Sequence, residues 1–373
     1  MRISYVVREI GLTGVVTHVR DLSAEMIRRG HTVTLLTGGK KADGDKALDN
    51  LYQSLLDTGI EIHKVSFPLS GCSRVKYMLK LLVSTCQTWL FLRRRKFDIV
   101  HLHTPVLSPV LKLCSCDFVM TRHLAGMNLG VFYVKPKYEI AISESTYRDA
   151  INAGMKQSDV FLINNGINSS FSELASSDDV SAICTRLNVP HDKIIIGFVG
   201  ALCHRKGVDI LLQSCDMLNT KYPDKFSLVW LGNPLKDEDR RWLSDLLERF
   251  KHPSYLRIFG YEDPKPFYDM FDIFVLPSRR EGFPLVVLEA MLSGCCVVRS
   301  DTDGAQEQIA DGQDGFLFKS EDSEELFLIL EKLMLDKTLR ESVAANGRKK
   351  ALENFTSDVM AEKTLSVYNK MLS

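Results

Sequence analysis

The chain has no Cys-x-x-Cys pair, no net charge, no low-complexity tract and no apolar run long enough to cross a bilayer. Its nine cysteines are odd in number and scattered, from Cys72 to the adjacent Cys295 and Cys296, which argues against a disulfide framework and for a reducing compartment. Cys114 and Cys116 form a Cys-x-Cys, but no second Cys or His pair stands at ligand spacing; both are expected as plain buried thiols, with no zinc site. The most apolar stretch, Leu81 to Leu92, is 12 uncharged residues between Lys80 and Arg93, short of the roughly 20 that a helical span needs. No long apolar segment lies within Met1 to Gly11, so no cleavable signal is expected. With 47 basic against 47 acidic side chains, there is no electrostatic footprint for nucleic acid.

What is present is an ordinary globular composition, 45% hydrophobic and 25% charged, over 373 residues. That length favours two domains of the usual size, roughly 100 to 200 residues each. The neutral total conceals an asymmetry: residues 1–180 carry 22 basic and 17 acidic side chains, residues 181–373 carry 25 and 30. The first half is therefore the one expected to meet an anionic surface.

An apolar run, Ile3 to Val7, is followed by a loop holding Gly11 and Gly14, then by helical spacing with Val15, Val19, Leu22, Met26 and Ile27 on one side. Arg29-Gly30-His31 ends that helix and Thr32 to Thr37 reads as a second strand, a parallel crossover unit. The pattern recurs at Ile99 to His103, Asp117 to Thr121 and Glu139 to Ser143, so residues 1–170 are expected to form one doubly wound α/β domain. Residues 169–190 are rich in Ser and Asp and are taken as the junction. Alternation then resumes over 190–356, with strands at Lys193 to Val199, Ser227 to Leu231, Leu256 to Phe259, Ile273 to Leu276 and Cys296 to Ser300. A last helical segment, Ser357 to Met371, is expected to return to the first domain. Two such domains in tandem are expected to face each other across a cleft bounded by their strand C-termini.

The most informative stretch runs from Phe274 to Met291. A strand ends at Pro277, a polar loop carries Glu281, and an amphipathic helix is expected from Pro284, with Glu289 a turn or more inside it. The helix start offers unpaired N–H groups and partial positive charge to a phosphate or a sugar hydroxyl. Two carboxylates eight residues apart can touch different parts of one elongated ligand; taken bare, the spacing is a weak signal and favours two surface glutamates. A second stretch, Gly197 to Gly207, ends in adjacent cations, Arg205 and Lys206, after a buried strand. Such a pair can neutralise a diphosphate leaving group as charge develops on it.

With these motifs the chain resembles, over nearly its whole length, glycosyltransferase family 4: retaining enzymes of the GT-B fold, in which two Rossmann-like domains face each other. Glu281 and Glu289 match that family's E-x7-E, and Glu289, Ala290, Met291 and Gly294 match the E-A-M-x-x-G that follows. The resemblance places Glu281 by the donor sugar, Glu289 on the nucleotide ribose hydroxyls, and Gly282, Phe283, Pro284 and Leu285 around the donor. It gives Arg205 and Lys206 the diphosphate, with Gly200 in the turn before them; many members carry an Arg directly after that glycine, where this chain has Ala201.

The resemblance also implies that Gly14 lets backbone approach the donor and that His123 faces the donor sugar. Ile163, Asn164, Asn165, Gly166, Ile167, Asn168 and Phe171 resemble the family's hinge-side motif, with Asn164 in place of Pro and Asn168 in place of Asp. Asn233 and Tyr261 stand in two loops that touch the nucleobase in that family. His101 and His103 alternate on a strand and read as packing or wall. Asp301-Thr302-Asp303 reads as a strand-end loop, so no metal and no cofactor are expected, the nucleotide sugar being a co-substrate.

The implied activity is retaining transfer of a sugar from a nucleoside diphosphate, UDP or GDP, to a hydroxyl of a glycan or lipid-linked acceptor in lipopolysaccharide, capsule or other surface polysaccharide synthesis. The alternatives are another GT-B enzyme, such as a nucleotide-sugar epimerase, and a non-catalytic binding subunit. Residues 73–96 are apolar and basic, ending in Arg93, Arg94, Arg95 and Lys96, and are expected either to lie on an anionic membrane surface or to form a core helix with a solvated basic end. A cytoplasmic enzyme, peripheral on the inner face of the membrane, is the corresponding expectation.

Overall fold

The computed structural model describes residues 1–41, 46–67, 73–126, 133–187 and 193–373, without the side chains of residues 74, 76, 77, 184 and 187. Cys72 and the end of the expected junction, 188–190, lie outside the described residues. The chain divides into two compact units, Met1–Gly166 with Ser357–Ser373, and Ile167–Thr356. The division falls at Gly166, so the Ser/Asp-rich segment belongs to the second unit, where Ser177–Leu187 is helical.

The first unit holds, among the described residues, a seven-stranded sheet with β1 (Arg2–Val7), β2 (Thr32–Thr37), β3 (Glu61–Lys64), β4 (Ile99–Leu102), β5 (Val119–Arg122), β6 (Tyr138–Ala141) and β7 (Val160–Leu162). The order is β3-β2-β1-β4-β5-β6-β7 and every pairing is parallel. β1 and β4 are central and buried almost throughout, which is why their apolar runs are continuous rather than alternating. The edge strands β3 and β7 are short and only partly buried; β3 has one large apolar residue and β7 is three residues long, so neither leaves a periodic trace in the sequence.

The helix Gly14–Arg28 buries Val16, Val19, Leu22 and Met26 against the same core that receives Met360, Ala361, Val367 and Tyr368 of the helix Ser357–Leu372. The expected face is shifted: Val16 is buried, whereas Val15 and Ile27 are half-buried. His18 and Asp21 are buried on this helix as well.

The second unit holds a six-stranded parallel sheet among the described residues: β8 (Ile194–Val199), β9 (Phe226–Leu231), β10 (Leu256–Phe259), β11 (Ile273–Leu276), β12 (Cys296–Ser300) and β13 (Phe316–Phe318), in the order β10-β9-β8-β11-β12-β13. The helix Leu285–Ser293 is not amphipathic. Seven of its nine residues are buried, Glu289 among them, because it is covered on one side by the sheet and on the other by Lys337–Asn354 and the segment around Phe171. Cys114 and Cys116 are half-buried free thiols rather than fully buried ones; burial pushes them up to about 12 and about 11.

Candidate functional site

In the second sheet the chain runs outward from β8 to β10 and then returns to β11 on the other side of β8. The loops leaving the C-terminal ends of β8 and β11 diverge at this switch point, where open parallel sheets hold ligands. One loop carries Gly200 to Lys206, the other Pro277 to Pro284. They meet in an ion pair: Lys206 Nζ donates to Glu281 Oε1 at 2.6 Å, and Arg205 Nη1 lies 3.5 Å from the same oxygen. Burial alone would push the Glu281 carboxyl up, but Lys206 and Arg205 outweigh it and hold the group below its ordinary range, ionised. Arg205 is 52% exposed on its side chain and Lys206 only 12%, so one cation is open to an incoming anion and the other is sheltered.

The loops are pinned by further contacts, those of Arg279 and Arg299 coming from residues outside the sequence motifs. Arg279 clamps Asp209 with two bonds of 2.8 Å, and its backbone N–H donates to the Arg205 carbonyl at 2.9 Å. Gly207 sits at φ +69°, where a Cβ would come within 1.9 Å of the Pro277 carbonyl oxygen, so only glycine allows this approach. On the far side, Arg299 is fully buried in β12. It donates to Gln308, and to Thr302 Oγ1 and the Asp303 carbonyl at 3.1 Å each. Burial lowers this guanidinium to about 10. The Asp301 carboxylate accepts the Ser320 N–H at 2.8 Å, and a Cβ on Gly304 would come within 2.1 Å of the Gly282 carbonyl oxygen. Asp301 to Gly304 is thus a strand-end turn that buttresses the Glu281 loop.

Glu289 is buried in the helix that follows, and Tyr268 Oη donates to its Oε2 at 2.9 Å. Gly282, Phe283, Pro284 and Leu285 are buried around the helix start, with Pro284 extended at the N-cap and its carbonyl bonded by Gln308. Asn233 and Tyr261 lie exposed after β9 and β10; the Asn233 carbonyl accepts the Leu202 N–H at 3.1 Å, tying that loop to the one after β8. Gly200 donates to the Leu231 carbonyl.

The first sheet has its own switch point between β1 and β4. Gly14 opens the helix after β1, exposed. One turn later comes His18, and across from it stand His103 after β4 and His123 after β5. His103 Nδ1 is 3.1 Å from His123 Nε2, and His18 Nδ1 is 3.0 Å from Asn165 Oδ1. Burial lowers all three imidazoles, His18 to about 4. His103 is therefore part of a cluster rather than simple wall, whereas His101 is packing: it is bonded by Tyr368 Oη and Thr121 Oγ1 at 2.7 Å each. His18 had no signal in the sequence, since a single histidine on an apolar helix face marks nothing by itself. Asn165 lies inside a recognised motif, but its partner is 147 residues away.

Residues 181–350 match the family model described as glycosyl transferases group 1, and residues 12–171 match the one described as glycosyltransferase family 4. The chain is 31% identical over 238 residues to the Staphylococcus aureus capsular polysaccharide biosynthesis glycosyltransferase CapM, an alignment spanning 62% of this chain and 61% of that protein. It is 30% identical over 236 residues to the Campylobacter jejuni N,N'-diacetylbacillosaminyl-diphospho-undecaprenol alpha-1,3-N-acetylgalactosaminyltransferase, spanning 62% of this chain and 60% of the relative. The chain thus spans about three fifths of the length of these relatives. Among solved structures, Anabaena HepE in complex with UDP-glucose superimposes with a TM-score of 0.82 at 20% identity, over 99% of this chain and all of that one. WaaG, a glycosyltransferase involved in lipopolysaccharide biosynthesis, gives 0.73 at 16% identity, over 98% of each chain. At such identities the likeness establishes the fold, which is GT-B.

Proposed function

The chain belongs to glycosyltransferase family 4, and from that premise we propose that it transfers a sugar, with retention, from a nucleoside diphosphate to a hydroxyl of a lipid-linked or surface glycan. The observation that carries this reading is the Glu281–Lys206 pair at the second sheet's switch point, with Arg205 beside it. In a transition state of oxocarbenium character, negative charge develops on the departing diphosphate. Arg205, exposed, meets that charge, and Lys206, with three donors, serves both Glu281 and a phosphate oxygen. Glu281, ionised and acceptor-only, receives sugar hydroxyls; Glu289, oriented by Tyr268, receives those of the ribose. His123, neutral and partly exposed, is assigned to the sugar.

UDP is the favoured diphosphate, because HepE is described with UDP-glucose. The acceptor class follows the Campylobacter relative, whose name specifies a diphospho-undecaprenol carrier. In this chain the helix Arg74–Arg95 supports a place at a lipid surface. Ser84 and Thr88 are buried, while Val75, Met78, Leu79, Leu82 and Val83 are 48–70% exposed and Arg93, Arg94 and Arg95 close the helix. An apolar outer face ending in cations fits an anionic interface. No helix among the described residues is long and apolar enough to cross a membrane. The reading is thus of a cytoplasmic enzyme, peripheral on the inner leaflet, that transfers without a metal.

The test is thermal unfolding of the full chain against UDP, GDP, ADP, TDP and CMP with EDTA present, since a ligand bound only by the folded state raises the melting temperature. One diphosphate is expected to stabilise the wild type and to lose that effect in Lys206→Ala and Glu289→Ala. If none stabilises it, or if the variants respond like wild type, the assignment of this site to the donor fails.

A further inference from the structure

We propose that His18, His103 and His123 form a binding site for one divalent transition-metal ion of the imidazole-preferring class, zinc in the first place. Each ring offers one nitrogen, and these nitrogens all lie within 4.8 Å of one another, the only such grouping among the described residues. A tetrahedral zinc ion with bonds of about 2.0–2.1 Å sets its ligand nitrogens roughly 3.4 Å apart. Side-chain movements of about an ångström therefore close the rings on an ion, with the fourth position left to water.

The hydrogen bonds point the same way. His18 Nδ1 faces Asn165 Oδ1 at 3.0 Å. An amide oxygen accepts only, so Nδ1 carries the proton and Nε2 carries a lone pair. That Nε2 is buried and meets no hydrogen-bond partner. His103 Nδ1 and His123 Nε2, 3.1 Å apart, share one proton between them. His103 Nε2 is also buried without a partner. These two ring nitrogens are desolvated polar atoms left unsatisfied. A cation bound by lone pairs satisfies them. Asn165 then fills the outer-shell role that ligating histidines need, holding the ring through its other nitrogen. No carboxylate belongs to the group, and neutral imidazoles suit zinc, cobalt, nickel and copper rather than magnesium or calcium.

The ion has no step in the transfer proposed above. By taking a nitrogen of His123 it competes with that ring's assignment to the sugar, which makes the site a means of inhibition by free metal.

The experiment uses the full chain, stripped with chelator and dialysed, in equilibrium dialysis with zinc and in visible absorption with cobalt as a spectroscopic stand-in. One ion per chain is expected, with cobalt giving the intense bands of a tetrahedral site. His18→Gln and His123→Asn are each expected to abolish both signals while keeping the wild-type circular dichroism. Asn165→Ala is expected to weaken binding on the order of 10- to 100-fold. His123 is partly exposed, so its variant decides the matter if His18→Gln does not fold. Absence of stoichiometric binding by wild type overturns the proposal. So does binding that persists in His123→Asn, which would place the ion on thiols such as Cys114 and Cys116. These measurements need no donor and no activity, so their failure is separate from failure of the transferase reading.

Discussion

Glu281 shows how one carboxylate acquires a defined state from its neighbours. Lys206 and Arg205 stand within 2.6 and 3.5 Å of one of its oxygens, and they keep it ionised in a site that would otherwise favour the neutral acid. Glu289 is held differently: a neutral donor, Tyr268, bonds its Oε2. Tyr268→Phe removes that bond without a cavity. A hydrogen bond to a charged group is worth about 1.5–3 kcal/mol, so affinity for the stabilising diphosphate is expected to fall roughly 10-fold or more by calorimetry, with a loss in urea unfolding no larger than about 1.5–3 kcal/mol. Unchanged affinity would remove Tyr268 from the proposed nucleotide site. Gly207→Ala is a test of backbone instead. The left-handed conformation costs about 1–2 kcal/mol for an alanine, and the overlap with the Pro277 carbonyl adds to it. A loss of roughly 3 kcal/mol or more in urea unfolding is expected, with nucleotide binding lost because Lys206 is displaced.

At the level of the element, burial made the central strands legible, and of the edge strands β10 alone was read, from its apolar Leu256, Ile258 and Phe259. Central strands such as β1, β8 and β11 are buried on both faces and read as continuous apolar runs, so they were found. β3, β7 and β13 lie at sheet edges, and periodicity left no mark there. The helix Leu285–Ser293 looked one-sided in sequence and is enclosed, because the covering helix Lys337–Asn354 comes from residues about fifty positions further on. The helix Arg74–Arg95 turns Ser84, Thr88 and Phe91 inward and Val75, Met78, Leu79, Leu82 and Val83 outward. For that reason flotation with vesicles containing anionic lipid is expected to carry the wild type upward at low salt, while Leu79→Ser with Leu82→Ser stays in the soluble fraction at an unchanged melting temperature. Both side chains are more than half exposed, so their replacement leaves the core intact. Wild type that fails to float would leave this face without its proposed lipid partner.

At the scale of the whole molecule, the last helix completes the first unit after the chain has built the second. Tyr368 is fully buried there, its hydroxyl 2.7 Å from His101 Nδ1. Tyr368→Ala is expected to destabilise the first unit by about 3–5 kcal/mol, as large aromatic truncations do. Tyr368→Phe loses only the hydrogen bond, about 1–2 kcal/mol. Urea unfolding of both variants checks the order; equal losses would mean that the hydroxyl rather than the ring holds the helix.

Sequence alone was enough for two α/β units, for their order, and for marking Glu281, Glu289, Arg205 and Lys206 as candidates. Those signals are local: a strand, a loop and a helix start lie next to one another in the chain, and hydrophobic period and turn chemistry act over a few residues. Tertiary structure decided what each of these groups touches. Arg279 on Asp209, Tyr268 on Glu289, Asn165 on His18 and His103 on His123 are pairs separated by 20 to 147 residues. Parallel sheets join strands through crossovers, so the residues that meet at a switch point come from distant segments. Hydrogen-bond geometry and desolvation, which set charge and tautomer, exist only once those segments are packed.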